Sequence, residues 1–205
     1  MSTAGSTPVG EWLATFRSGK LSAAGPLLHH FEPWLKVLAR MQWESRFGGK
    51  FDPADLVQQA LLEAARDLEH FRGQTEAELA AWLRRILAHV LAHEIRRYRG
   101  TQKRDLEREV ALDRQLTAAS ERLGDVLPSP ATVPDEKLIR RERALDLARA
   151  LERLPADYRE VIVLRHLEGL SHEAIAERLG RNAGAVRMLW VRALARLRKE
   201  LPEET

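Results

Sequence analysis

The stretch Leu170–Leu197, LSHEAIAERLGRNAGAVRMLWVRALARL, decides how the rest of the chain is read. Ser171 is a strong N-cap type, and Glu173 follows in the first turn, where a carboxylate offsets the positive end of the helix dipole. Ala174, Ile175 and Leu179 supply an inward face, and Gly180 permits a tight turn because it lacks a Cβ. Asn182 can cap a second helix whose apolar stripe, Val186, Trp190, Ala193 and Leu197, runs at intervals of four, three and four residues. The opposite side of that helix carries Gly184, Arg187, Met188, Val191 and Arg192.

Two short helices about a glycine turn, the second basic on its outer face, fit a helix-turn-helix whose second helix enters the DNA major groove. Arg187 and Arg192 can each bind a guanine edge through two hydrogen bonds, and Val191 or Met188 can touch a thymine methyl. Gly184 lets backbone approach a phosphate at the positive end of the helix. Arg181, Arg196, Arg198 and Lys199 suit phosphate contacts, which position without specifying. The plain alternative is a helical hairpin with a solvated basic face.

Toward the amino terminus the same unit begins with a helix ending at Leu154-Pro155. Another follows from about Asp157 to Leu167, and then a break at Glu168-Gly169. Before it, residues 123–135 contain Gly124, Pro128, Pro130 and Pro134 and read as part of a linker over 105–137, in which a piece of Asp105–Arg122 can still be helical. Residues 1–104 form the other domain. Asp52-Pro53 places an acidic N-cap before a proline at the first helical position. Leu56, Val57, Ala60, Leu61, Ala64 and Leu68 continue a helical stripe that should stop near Arg72-Gly73. A second stripe runs from Leu79 through Trp82, Leu83, Ile86, Val90, Leu91 and Ile95 to Tyr98 and Gly100. On this helix Trp82, Arg85, His89 and His93 share a face, and Arg96, Arg97 and Arg99 continue the basic surface. Trp12–Phe47 is apolar at helical spacing, with Pro26, Pro33 and Gly48-Gly49 as interruptions, and should hold one or two helices.

The composition agrees. The chain has 205 residues, 44% hydrophobic and 31% charged, enough for two small domains. Ala, Leu, Arg and Glu dominate, so the expected fold class is all-α, with two small helical domains joined by a linker. The absence of cysteine excludes disulfides, thiolate metal sites and a cysteine nucleophile, and fits a reducing cytoplasm. No apolar run is long enough for a membrane span, and Met1–Gly10 lacks the features of a signal peptide, so a soluble cytoplasmic protein is expected. The net charge of +3 hides strong segregation. Residues 52–79 carry seven acids against two bases, 84–104 seven bases against one acid, and 181–199 six bases and no acid. Two cationic patches are therefore expected in different parts of the chain.

At these residues the sequence resembles a known family. The segment LPADYREVIVLRHLEGLSHEAIAERLGRNAGAVRMLWVRALARLRKEL, Leu154–Leu201, is similar to region 4 of the sigma-70 family. FDPADLVQQALLEAARDLEHFRG, Phe51–Gly73, resembles region 2, together with WLRRIL at Trp82–Leu87 and the basic EIRRYRG that ends at Gly100. The two segments stand in the family's order without an obvious region 3, the arrangement of extracytoplasmic-function (ECF) sigma factors. The resemblance implies a non-enzymatic subunit without cofactors. Its partners would be core RNA polymerase, promoter DNA and an anti-sigma factor that holds it inactive.

The same resemblance implies site roles. Asp55, Gln58 and Gln59 would dock on the polymerase. The loop of Phe71, Arg72, Gly73 and Gln74 would capture an unstacked base of the minus-10 element. Trp82, Arg85, His89, His93, Arg96 and Arg97 would read that element, and Gly184, Arg187, Met188, Val191 and Arg192 the minus-35 element. His89 and His93 stand where the family more often has asparagine or another polar residue, and Met188 and Leu189 also depart from a commonly polar pattern.

Three other classes compete. A conventional helix-turn-helix regulator leaves the basic, aromatic-bearing first domain without a task. A metal enzyme would use His89 and His93, four residues apart, but Val90 stands where the metalloprotease motif has glutamate, and no third ligand is evident. A pure interaction bundle predicts binding that is insensitive to salt.

Overall fold

The computed structural model describes residues 8–47, 52–99, 105–125 and 136–201. Gly48-Gly49, Gly100 and the prolines at 128, 130 and 134 lie outside the described residues, as do the side chains of Tyr98 and Arg99. Among the described residues every regular element is helical, as the composition requires. The chain divides into two compact units, residues 1–117 and 118–205.

In the first unit, α1 (Pro8–Arg17) ends at a turn where Gly19 has φ +90°, a conformation open to glycine. A 3-10 turn (Leu21–Ala23) leads into α2 (Ala24–His29) and α3 (Glu32–Phe47). Three helices thus occupy the segment in which one or two were expected. The prolines do not interrupt these helices: Pro26 and Pro33 sit in the first turns of α2 and α3, where a missing N–H leaves no bond unmade. α4 (Pro53–Asp67) starts as the sequence predicts, with the Asp52 carboxylate accepting the Ala54 amide at 2.8 Å. A 3-10 turn (Leu68–His70) and an extended loop connect it to α5 (Glu76–Arg99).

α4 packs on both α3 and α5. Its Val57, Ala60 and Ala64 meet a core that includes Phe31, Leu35, Leu38, Leu83 and Leu87, all essentially inaccessible to solvent. Each such leucine contributes roughly 1.5–3 kcal/mol of burial free energy. That core fixes which faces of α4 and α5 remain outside.

Residues 105–125, read as linker from the sequence, form α6 (Asp105–Asp125), which crosses the boundary between the units. Its Leu112, Leu116, Ala119 and Leu123 are buried at intervals of four, three and four. That periodicity is what makes the segment a helix, although the many charged residues between lower its mean hydropathy.

In the second unit, α7 (Glu136–Arg153) is followed by α8 (Ala156–Ile162) and a wide π-turn (Val163–Leu167). Arg159 holds the end of α7 by donating to the carbonyls of Leu151 and Leu154 at 3.1 and 3.3 Å, satisfying groups that a helix terminus leaves open. Gly169, at φ +73°, makes the break before α9 (His172–Leu179), and α10 (Ala183–Glu200) completes the unit. Packing is closest between α8 and α10, with Val161, Ile162, Val186, Ala193 and Leu197 buried. No helix among the described residues is long and apolar enough to cross a membrane.

Candidate nucleic-acid interfaces

The α9-turn-α10 pair is built as the sequence reading requires. The Ser171 hydroxyl accepts the Ala174 amide at 3.1 Å, and the Asn182 side chain accepts the Ala185 amide at 2.7 Å. Between the two caps Gly180 adopts φ +62°, ψ +34°, the left-handed geometry that ends α9. The Glu173 carboxyl is held below its ordinary range by its own backbone amide and by the Ser171 hydroxyl, with the positive charge of Arg187 and His172 adding to the effect. These contacts fix the start of α10.

Gly184, Arg187, Met188, Val191 and Arg192 are all exposed. Met188 and Val191 expose 54% and 47% of their surface, too much for core residues but suited to apolar contact with a base edge. Among the basic residues flanking this face, Arg181 pairs with Asp157 at 2.5 Å and Arg196 with Glu200 at 2.8 Å. Arg198 and Lys199 are exposed at the end of the helix.

Trp190 departs from the expected buried stripe. It is half-buried, because its indole N–H needs an acceptor that the apolar core lacks. That acceptor is Nε2 of His166 at 3.1 Å. The two rings stack 6.0 Å apart at 25°, and His172 approaches edge-on at 5.4 Å. Neither histidine was legible as a partner, since they precede Trp190 by 24 and 18 residues with no periodic relation to it.

In the first unit, Trp82, Arg85, His89 and His93 follow one side of α5, where Trp82 is half-buried and the other three exposed. Arg97 is exposed beyond them and lies 3.8 Å from Glu94, while Arg96 is half-buried. His89 Nδ1 stands 3.2 Å from Glu109 of α6, and His93 Nδ1 3.5 Å from Glu94. Arg84, adjacent to the face, turns instead to Asp113 at 2.9 Å. Among the described residues no group of histidine and carboxylate side chains has the arrangement of a metal site.

The loop before α5 meets this face through Phe71, whose ring lies 5.1 Å from that of Trp82. Arg72 beside it is exposed. At Gly73 a Cβ would run into the Phe71 ring and the Glu78 side chain, so only glycine fits. Glu78 Oε2 accepts the amides of Gln74 and Thr75 at 2.7 and 2.9 Å, and the Thr75 hydroxyl accepts the Glu78 amide at 3.2 Å. This is a capping box, a signal the sequence offered in Thr75-x-x-Glu78 and which the reading above passed over. The bonds to Gln74 and Thr75 hold the Glu78 carboxyl below its ordinary range. Arg17, at the end of α1, donates to the Gly73 carbonyl. No sequence pattern announced that contact.

On α4 the outer face carries Asp55, exposed, and Gln59, 3.4 Å from Glu63. Gln58 donates to Glu32 at 2.9 Å, which also takes Lys36 at 3.0 Å. Leu62 on the same face is 60% exposed.

Comparison with known proteins identifies the family. The family described as sigma-70 region 2 matches residues 27–101, and the family described as sigma-70, region 4 matches residues 144–197. The ECF RNA polymerase sigma-E factor of Haemophilus influenzae is 31% identical over 151 residues, covering 73% of this chain and 74% of that protein. The RNA polymerase sigma-E factor of Streptomyces antibioticus is 36% identical, covering 73% and 71%. The ECF RNA polymerase sigma-E factor of Escherichia coli is 29% identical, covering 73% of each. With both family regions present in order and relatives of this identity spanning most of their own length, the chain belongs to the extracytoplasmic-function group of the sigma-70 family and serves promoter-specific transcription initiation as a sigma factor.

Proposed function

We propose that the two modules at 1–104 and 138–205 grip separate elements of one promoter while the chain is bound to core RNA polymerase. On this reading the outer face of α10 reads the minus-35 duplex, with Arg187 and Arg192 on base edges, Met188 and Val191 against methyl groups, and Gly184 near a phosphate. The face of α5 formed by Trp82, Arg85, His89, His93, Arg96 and Arg97 reads the minus-10 element. Phe71 and Arg72 take up an unstacked base from its opened strand. Asp55, Gln58 and Gln59 dock on polymerase, which supplies the chemistry, so the chain itself needs no catalytic group or cofactor.

The observation that carries this reading is the outer face of α10: five positions, two of them arginine, all exposed on a helix whose start is fixed by Asn182 and Gly180. A cytoplasmic location follows from the polymerase partner. An anti-sigma factor enters the same reading as a protein that covers one of these faces. Run-off transcription with core polymerase on a genomic fragment library tests the whole. Promoter-specific transcripts that require this chain are expected, and transcription unchanged by its addition would refute the reading.

A further inference from the structure

A cleft of about 440 Å³ opens beside the loop that precedes α5. That volume lies in the range of small-ligand sites. Glu69, Phe71, Arg72 and Gln74 come to it from the α4–α5 connection, and Phe16, Arg17 and Gly19 from the end of α1. The latter three lie ahead of residue 27, where the match to region 2 begins. We propose that Arg17 is a positioning residue for the minus-10 base-capture loop: its guanidinium on the Gly73 carbonyl keeps the cleft shaped for an unstacked nucleobase. The inference rests on the base-capture reading of Phe71 and Arg72 given above.

Gly73 is held from both directions. Its carbonyl accepts from Arg17, while the next two amides, of Gln74 and Thr75, donate to Glu78 at 2.7 and 2.9 Å. A cation from one helix and an anion from another thus bracket two consecutive peptide groups, and the Arg17 charge itself helps keep the Glu78 carboxyl ionised. The backbone so fixed brings Phe71 against Trp82, with the ring occupying the space a Cβ on residue 73 would need. Arg17 has a firm base for this task. Val9 and Leu13 bury α1, the Ser18 hydroxyl donates to the Thr15 carbonyl at 2.8 Å, and the Gly19 amide to the Phe16 carbonyl at 3.0 Å. Without the guanidinium the Gly73 carbonyl turns to water, and a captured base would have to order the loop as it binds, a cost that a preformed cleft avoids.

The test uses holoenzyme assembled from the full chain and core polymerase, on a promoter selected by run-off transcription. The non-template strand is made abasic at each minus-10 position in turn. The wild-type chain is expected to lose strand opening at one abasic position. Arg17→Ala is expected to open the intact promoter about three- to tenfold less well, as loss of one solvent-exposed hydrogen bond implies. It should show a correspondingly smaller penalty at that abasic position, with Arg17→Lys recovering part of the loss. Arg17 is exposed, so its truncation leaves the core of α1 intact. Opening by Arg17→Ala equal to wild type, or a deficit of the same size on intact and abasic templates, overturns the assignment, as does failure of Arg17→Ala to assemble with polymerase. A wild-type chain indifferent to every abasic position overturns the base-capture reading, and the role of Arg17 with it.

Discussion

Trp190 donates its indole N–H to Nε2 of His166 across 3.1 Å, joining helix α10 to the π-turn after α8. The bond requires an unprotonated Nε2, hence a neutral imidazole carrying its proton on Nδ1.

Stability of the second unit should therefore fall with acid. Burial, and after it the charge of Arg165, lower the His166 pKa from its ordinary 6.5. As the pH drops, the unfolded chain takes up this proton before the folded one. The contribution is complete above about pH 6.5 and is lost progressively as the pH falls from there through the lowered folded value. His166→Gln, which keeps an acceptor but does not titrate, is expected to flatten this part of the profile. Thermal denaturation of both chains between pH 7.5 and 5 measures it, and parallel profiles would show that His166 is not the group responsible.

Arg187→Ala and Arg192→Ala should each weaken binding of holoenzyme to its cognate minus-35 sequence by ~1–3 kcal/mol and relax preference at one base pair. Lys199→Ala should weaken all sequences about equally and make the salt dependence shallower by roughly one phosphate contact. Competition binding across single-base minus-35 variants at several salt concentrations separates the two patterns.

The caps around the turn are expected to be worth measurable stability. Asn182→Ala removes the acceptor of the Ala185 amide and should cost on the order of 1 kcal/mol. Gly180→Ala forces a Cβ onto a residue at φ +62° and should cost roughly 1–2 kcal/mol. Urea denaturation gives both, and an unchanged midpoint for Gly180→Ala would mean that the turn relaxes out of the left-handed region.

Gly73→Ala should displace the Phe71 ring, since ring and Cβ compete for one space. Strand opening at the minus-10 element is expected to drop roughly fivefold or more, the scale of ~1–3 kcal/mol that overpacking costs. Duplex binding through α10 should be unaffected. Permanganate footprinting beside a minus-35 binding assay distinguishes these outcomes, and equal losses in both would point to general unfolding.

The helical framework was legible because it rests on periodicity and caps. Asp52, Ser171 and Asn182 cap the helices they were expected to cap, and Gly180 turns as predicted. The five outward residues of α10 were readable for the same reason, since the stripe of Val186, Ala193 and Leu197 fixes the opposite side. α6 is longer than the helical piece expected within 105–122, because its buried leucines are diluted by charge in the sequence. What no local pattern could give were contacts between residues distant in sequence: Arg17 on Gly73, Glu109 by His89, and His166 under Trp190. Each depends on how helices are set beside one another, which spacing within a helix does not specify.

The contact between Phe71 and Trp82 gives the chain an optical handle. The sequence has five tryptophans, and it is Trp82 whose ring lies against Phe71 of the loop. A chain in which the other four are phenylalanine would carry a single tryptophan, and its emission, excited apart from the two tyrosines, would shift as the loop leaves the indole and water replaces the phenyl ring. A rearrangement of this loop on binding could then be followed in real time without attaching a dye.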